Sequence, residues 1–330
     1  MRVADFVSNE VEMARPGTVP VYRIKEVSTY DFAARGVTEQ FLEDASTYYD
    51  GYTNPVHFRK LYGLAFDRGN ITPKAGARVL DIGTGGGNSV FAVRDILPDA
   101  QILGVDISQP LLELCAKAAI DRHSVDVDSM AMLVADLYDL KPVADSVDFI
   151  TGSSILHHML DPEALILHVA KSLRPGGYAI FNEPMEEAHG IFRAIFAGIL
   201  EDDEQQSEHI SKATATFFTA YVRDFDARKG IGNVRNSTQW LDDKWFFTRT
   251  WFQSVAMKAG CDRIVISQTH GGRNMFWRQF VVASRLFGAP EAPDTLPRWA
   301  RRRFEIMDES LSEQQKLDIT FAAVVVMQKS

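Results

Sequence analysis

Cysteine is scarce: the 330 residues contain two, Cys115 and Cys261. Two thiols cannot build a disulfide framework or a cysteine-rich zinc site. Long apolar runs are missing too, and none approaches the ~20 residues that a membrane-crossing helix needs. The opening Met1 to Glu10 carries acids where a secretory signal would need a hydrophobic block. Basic charge is in deficit, with 35 Lys and Arg against 44 Asp and Glu and a formal net charge of −9. That balance disfavours general attraction to phosphate backbones or anionic lipid. These shortages lead us to expect a cytoplasmic protein that acts on a small molecule, without a nucleic-acid or membrane partner. A homodimer is the assembly left open.

What is present is ordinary globular material. Hydrophobic residues make up 46% and charged residues 24%, enough for a sizeable core and more than one simple domain's worth of chain. No repeat or low-complexity tract interrupts it. From Arg78 to Asn182 short apolar runs alternate with helix-like segments, the pattern of βαβ units and a parallel sheet. Strands are expected at Arg78–Ile82, Gln101–Asp106, Met130–Val134, Val147–Thr151 and Tyr178–Asn182, a sixth at Arg263–Ser267 and a last at Ile319–Met327. A rival position for the last strand is Gln279–Ala283, which is shorter and poorer in β-branched residues. Ser108 and Asp161, the latter followed by Pro162, read as helix N-caps. Asn54-Pro55 opens an earlier helix. A long, mostly helical departure follows from Glu183 to Asp243, and helical periodicity resumes from Trp245 to Ala259.

The chemistry resides in Val79-Leu80-Asp81-Ile82-Gly83-Thr84-Gly85-Gly86-Gly87-Asn88. A strand runs into a glycine turn and then a helix, so backbone N–H groups can approach a ligand with no Cβ in the way. A dinucleotide fold wants G-x-G-x-x-G, yet Asn88 holds the third position. Asp81 would also repel a pyrophosphate. A positively charged nucleoside suits the turn better.

This pattern resembles motif I of the class I S-adenosylmethionine (SAM)-dependent methyltransferases, small-molecule type. Asp106 ends the second strand where the family's acid accepts both ribose hydroxyls. Asp136 matches its acid for the adenine amino group. The resemblance further implies that Gly83 and Gly85 lie along the amino-acid part of SAM, that Asp81 faces its ammonium directly or through water, and that Ile107, Leu137 and Ser153 complete the cofactor site. It covers residues 75–183 firmly. The implied fold is a doubly wound, mostly parallel seven-stranded sheet with a helical N-terminal segment and a helical lid inserted after the fifth strand. The divisions are a helical lid segment at 1–74, the core at 75–183, the cap insertion at 184–243 and the rest of the core at 244–330. The bland reading, glycines merely shaping a turn and acids capping helices, explains three acids at successive strand ends less well.

Methyl transfer from a sulfonium is an in-line displacement that needs a placed nucleophile, removal of an acidic proton and exclusion of water. His157 is the expected base, histidine being the natural one near neutral pH, with Glu183 second. His157 alternatively only packs at the cofactor's edge. Metal is not expected: adjacent His157 and His158 should point apart, and nothing in the spacing recruits His189 or His270. From Ala215 to Phe252, ten of 38 residues are aromatic. Most should fill the cap's own core, while Trp245, together with Tyr48, Tyr49 and Tyr52, is a candidate for an aromatic lid over substrate or sulfonium. Arg298, Arg301, Arg302 and Arg303 are expected to form a solvated, acid-paired helix face.

The expected reaction is SAM-dependent methylation of a small, secondary-metabolite-like acceptor, giving S-adenosylhomocysteine (SAH). The alternatives are cyclisation or elimination of the aminobutyrate chain with release of methylthioadenosine, an NAD-dependent oxidoreductase, and a non-catalytic SAM-binding protein.

Overall fold

One nine-stranded sheet runs through the molecule in the order β1-β2-β5-β4-β3-β6-β7-β9-β8. The computed structural model describes residues 1–27, 30–32, 35–123, 129–231, 241–269 and 272–330; Trp240 and His270 lie outside the described residues. The strands are β1 (Val11–Arg15), β2 (Val21–Ile24), β3 (Arg78–Ile82), β4 (Gln101–Asp106), β5 (Met130–Val134), β6 (Val147–Ser153), β7 (Leu173–Pro184), β8 (Cys261–Gln268) and β9 (Ala322–Lys329). β2 to β7 run parallel where they pair, whereas β1 and β9 are antiparallel to their neighbours.

All seven expected strands form, and two more correct both the strand count and the helical reading of the N-terminal segment. Val11–Arg15 and Val21–Ile24 make a hairpin whose second strand pairs in parallel with β5, Val21 opposite Met132. The last strand is the β-branched segment; Gln279–Ala283 instead lies within a helix.

The helices are α1 (Ala45–Tyr52), α2 (Pro55–Gly69), α3 (Asn88–Ile96), α4 (Gln109–His123), α5 (Pro162–Val169), α6 (Glu186–Asp202), α7 (Lys212–Arg228), α8 (Arg249–Lys258), α9 (Met275–Leu286), α10 (Ala292–Thr295), α11 (Arg298–Ser310) and α12 (Glu313–Asp318). Asn54 accepts from His57 N–H at 3.1 Å and Asp161 from Ala164 N–H at 2.9 Å, each just before a proline at the first helical turn. α8 begins later than expected because Thr248, not a residue near Trp245, supplies its cap.

Successive residues of each strand face opposite ways. Val79, Ile102, Met132 and Phe149 pack under α2, α3 and α4; Leu80, Leu103, Ile150 and Phe181 pack under α5 and α8. A third cluster, Phe192, Phe196, Phe217, Phe218, Phe280 and Phe304, joins α6, α7, α9 and α11. Much of the aromatic enrichment is absorbed there. Arg301, Arg302 and Arg303 of α11 pair with Glu305, Glu309 and Asp202. Among the described residues no helix is long and apolar enough to cross a membrane.

Candidate functional site

The carboxyl ends of the parallel strands open into a cavity of about 800 Å³, as expected for an open α/β sheet. Its floor is the turn after β3. Gly83 and Gly85 both have positive φ, +66° and +49°, a conformation that L side chains rarely adopt. A Cβ on Gly83 would lie 2.4 Å from Ile155, whereas one on Gly85 would meet nothing within 4 Å. Gly85 therefore borders open space, and its N–H donates to Asp106 Oδ2 at 2.8 Å. The other Asp106 oxygen accepts from Ser108 N–H at 2.8 Å. Burial raises the Asp106 pKa, against the pull of those backbone donors. Asp106, Ile107, Leu137 and Ser153 all line the cavity, as do Gly83 and Gly85.

Asp81 does not line it. The carboxylate is fully buried beneath the turn and accepts from Thr84 and Ser89 hydroxyls at 2.8 Å and from Thr151 at 2.6 Å. Burial pushes its pKa up to about 6 despite these three donors. It braces the glycine turn from below.

Asp136 also lines the cavity and is 5% exposed. It accepts from Tyr138 N–H at 2.7 Å and forms an ion pair with Arg35, whose other nitrogen reaches Asp139 at 3.2 Å. Arg35, Gly36, Val37 and Phe41 line the cavity as well. Lys244, wholly buried, ties that wall to the cap: its Nζ donates to Gly36 O at 3.0 Å and Leu241 O at 2.6 Å.

His157 lies in a 3₁₀ turn, Leu156–His158, that follows β6. Its Nδ1 is 2.5 Å from Glu183 Oε2, and its Nε2 is 3.5 Å from Asp243 Oδ1. Burial alone would lower its pKa, but Glu183 and Asp243 outweigh that and hold it at about 9. His157 and Glu183 both line the cavity. Glu183 is 1% exposed and accepts from the N–H groups of Ile155, Leu156 and His157 at 3.0, 2.9 and 3.4 Å. These contacts, with the one to His157 Nδ1, let Glu183 orient the His157 ring.

His158 does not point away from His157. The ring centroids are 4.1 Å apart, and His158 Nδ1 lies 2.8 Å from Asp242 O and 3.6 Å from Asp243 Oδ1. Burial, with the neighbouring His157 charge, brings the His158 pKa down to about 3. Asp243 Oδ2 in turn meets Arg228 at 3.3 Å. Ligand atoms of His157, His158 and Asp243 all lie within 4.8 Å of one another, the one such trio among the described residues.

Beyond this cluster the insertion supplies the wall. Arg228 stacks 4.0 Å over Phe246, and His189 Nδ1 is 2.5 Å from the Tyr221 hydroxyl. These four line the cavity. Of the expected aromatic lid, Tyr48 and Tyr52 line it too, stacked at 4.7 Å. Tyr49 packs instead against Gly86 and the α2–α4 core. Trp245 is 3% exposed in the sheet's core, its Nε1 donating to Met159 O at 2.8 Å; it is not part of a lid.

Sequence reading missed Arg35, Asp243 and Arg228, and gave His189 and Tyr221 no particular place in the site. None sits in a motif, and only the fold brings them to the strand ends. The aromatic density around Tyr221 and Phe246 was the single available signal.

Residues 80–179 match a family model described as a methyltransferase domain. Among curated relatives, the ubiquinone biosynthesis O-methyltransferase of Idiomarina loihiensis is 31% identical over 133 residues, 40% of this chain and 53% of that one. That of Xanthomonas axonopodis pv. citri is 33% identical over 128 residues, 39% and 51% of the two chains. The chain spans about half the length of these relatives. Of solved structures, a chain from the complex of the Haloferax volcanii Trm112 methyltransferase activator with a methyltransferase superposes with a TM-score of 0.52 at 16% identity, covering 88% of this chain and 98% of that one. Haemonchus contortus phosphoethanolamine N-methyltransferase 2, in complex with SAM, gives 0.50 at 16% identity, covering 92% and 60%. Both likenesses are of fold.

Proposed function

We propose that this chain, whose residues 80–179 match a methyltransferase-domain model, is a class I SAM-dependent enzyme that transfers a methyl group from SAM to a hydroxyl of a small, largely apolar acceptor. The observation that carries this reading is the continuity of one cavity, from the glycine turn and Asp106 past His157 to Tyr221, Arg228 and Phe246 of the insertion. Its volume of about 800 Å³ falls within the ~300–1,000 Å³ usual for small-molecule sites. The hydroxyl as acceptor rests on the O-methyltransferase relatives.

The residues present fit the cofactor. The open space above Gly85 takes an amino-acid tail, Asp106 offers its carboxylate to a cis-diol, and Asp136 with Leu137 and Ile107 frames a base. When bound, SAM supplies an electrophilic methyl group on a positively charged sulfur. Tyr48 and Tyr52 give that charge an aromatic face. His157, fixed by Glu183, borders the acceptor; a phenolic acceptor gives its proton to solvent before binding, and its oxygen takes the methyl as the sulfur leaves in SAH. The buried roof around Lys244 and Phe246 keeps water from the reacting centre.

Calorimetry with SAH, followed by incubation with SAM and a panel of phenols and hydroxyquinones, tests the reading. Saturable SAH binding and acceptor-dependent SAH formation are expected. No heat with SAH, or methylthioadenosine as the nucleoside product, overturns it.

A further inference from the structure

We propose that His157, His158 and Asp243 form a divalent-metal site, of the kind zinc occupies, at the acceptor end of the cavity. One carboxylate oxygen, Asp243 Oδ1, stands 3.5 Å from His157 Nε2 and 3.6 Å from His158 Nδ1. These separations are long for strong hydrogen bonds. They suit two ligands of one ion: nitrogen and oxygen atoms each ~2.0–2.1 Å from a tetrahedral metal lie roughly 3.4 Å from one another. An octahedral ion would draw adjacent ligands to roughly 2.9 Å.

The surroundings are those of a metal site. His157 gives its other nitrogen to Glu183 at 2.5 Å, and Glu183 is itself held by three backbone N–H groups. A carboxylate behind a ligating imidazole fixes the ring and raises its basicity as a donor. The second Asp243 oxygen is taken by Arg228 at 3.3 Å, which aims the first towards the histidines. Two imidazoles and a carboxylate are a donor set that zinc and its neighbours accept. The Asp242 carbonyl, 2.8 Å from His158 Nδ1, competes for that nitrogen as a plain hydrogen-bond acceptor, and metal entry must displace that bond. Three protein ligands leave a fourth position for water or an acceptor oxygen, whose proton a bound ion would loosen. The role at the acceptor rests on the methyl-transfer reading; the binding of the ion does not.

The test uses the full chain, freed of metal by chelation and titrated with Co²⁺ as the visible probe. One equivalent with the intense absorption of a tetrahedral site is expected, and Zn²⁺ should displace it. Asp243→Asn and His158→Gln should each weaken Co²⁺ binding at least roughly tenfold, with SAH affinity retained as the check on folding. No saturable Co²⁺ binding, a weak octahedral-type spectrum, or binding indifferent to both substitutions overturns the proposal. Failure of SAH to bind while Co²⁺ binds as described removes the methyl-transfer reading and leaves the metal site standing.

Discussion

The Glu183 carboxylate holds His157 from two directions, through the His157 backbone N–H at 3.4 Å and through the ring Nδ1 at 2.5 Å. Both side chains are buried, so the pair is anchored within the protein with little help from solvent. Removing one partner of such a pair leaves the other, and here three N–H groups, uncompensated. Glu183→Ala should therefore cost about 3–5 kcal/mol of folding stability, read as a fall in the denaturant midpoint. A loss below about 1 kcal/mol would show that the nest is dispensable.

Asp106 meets the cavity with a carboxylate already positioned by Gly85 and Ser108. Asp106→Ala should weaken SAH binding by at least roughly tenfold, the value of one or two charge-assisted hydrogen bonds. Calorimetry on wild type and variant decides it; equal dissociation constants would remove Asp106 from the ribose position.

Gly83 has no room for a side chain. Positive φ and an Ile155 atom 2.4 Å from the position of a Cβ both oppose alanine there. Gly83→Ala should lower the melting temperature and SAH affinity together. Gly76, also at positive φ but with nothing within 4 Å of a Cβ, provides the comparison: Gly76→Ala should show only the smaller backbone cost and no change in SAH affinity.

Tyr48 and Tyr52 can distinguish the two forms of the nucleoside, because only SAM carries the sulfonium charge. Tyr48→Leu should weaken SAM by roughly 2- to 30-fold more than it weakens SAH, the span of a cation–π contact. Parallel titrations measure the ratio. An equal loss for both ligands would reduce the ring to a packing role.

His189 sets a pH dependence of stability. Burial, with the Arg228 charge, brings its pKa down to about 3, whereas an unfolded histidine titrates near ~6.5. Between those values the unfolded chain binds the extra proton. The contribution of neutral His189 is thus complete above pH 6.5 and is lost as pH falls towards 3, at about 1.4 kcal/mol per pH unit. His189→Gln should make unfolding less sensitive to acid over pH 6 to 4 by about one proton. An unchanged slope would mean that the ring is already accessible to protons in the folded state.

What could be read beforehand follows the distinction between local and long-range causes. β3 to β7, the glycine turn and the caps at Asn54, Ser108 and Asp161 are local patterns, and each was visible in a stretch of ten residues. The hairpin of β1 and β2 was not, because four- and five-residue strands of mixed polarity gain their stability from β5, over a hundred positions away. Asp81 illustrates the same limit: its place at a strand end was legible, but the hydroxyls of Ser89 and Thr151 that enclose it were not. His157 and His158 seemed to diverge only while a regular helix was assumed; the tight turn after β6 brings them together. Asp243, which completes their environment, carries no sequence mark at all.

The amine of Lys244 on the Gly36 carbonyl joins two stretches that both lie outside residues 80–179, the segment that matches the methyltransferase-domain model. A fragment trimmed to residues 80–179 would keep the handholds of the nucleoside and lose its ceiling. On the methyl-transfer reading, the matched segment grips the nucleoside and the flanking chain selects its guest.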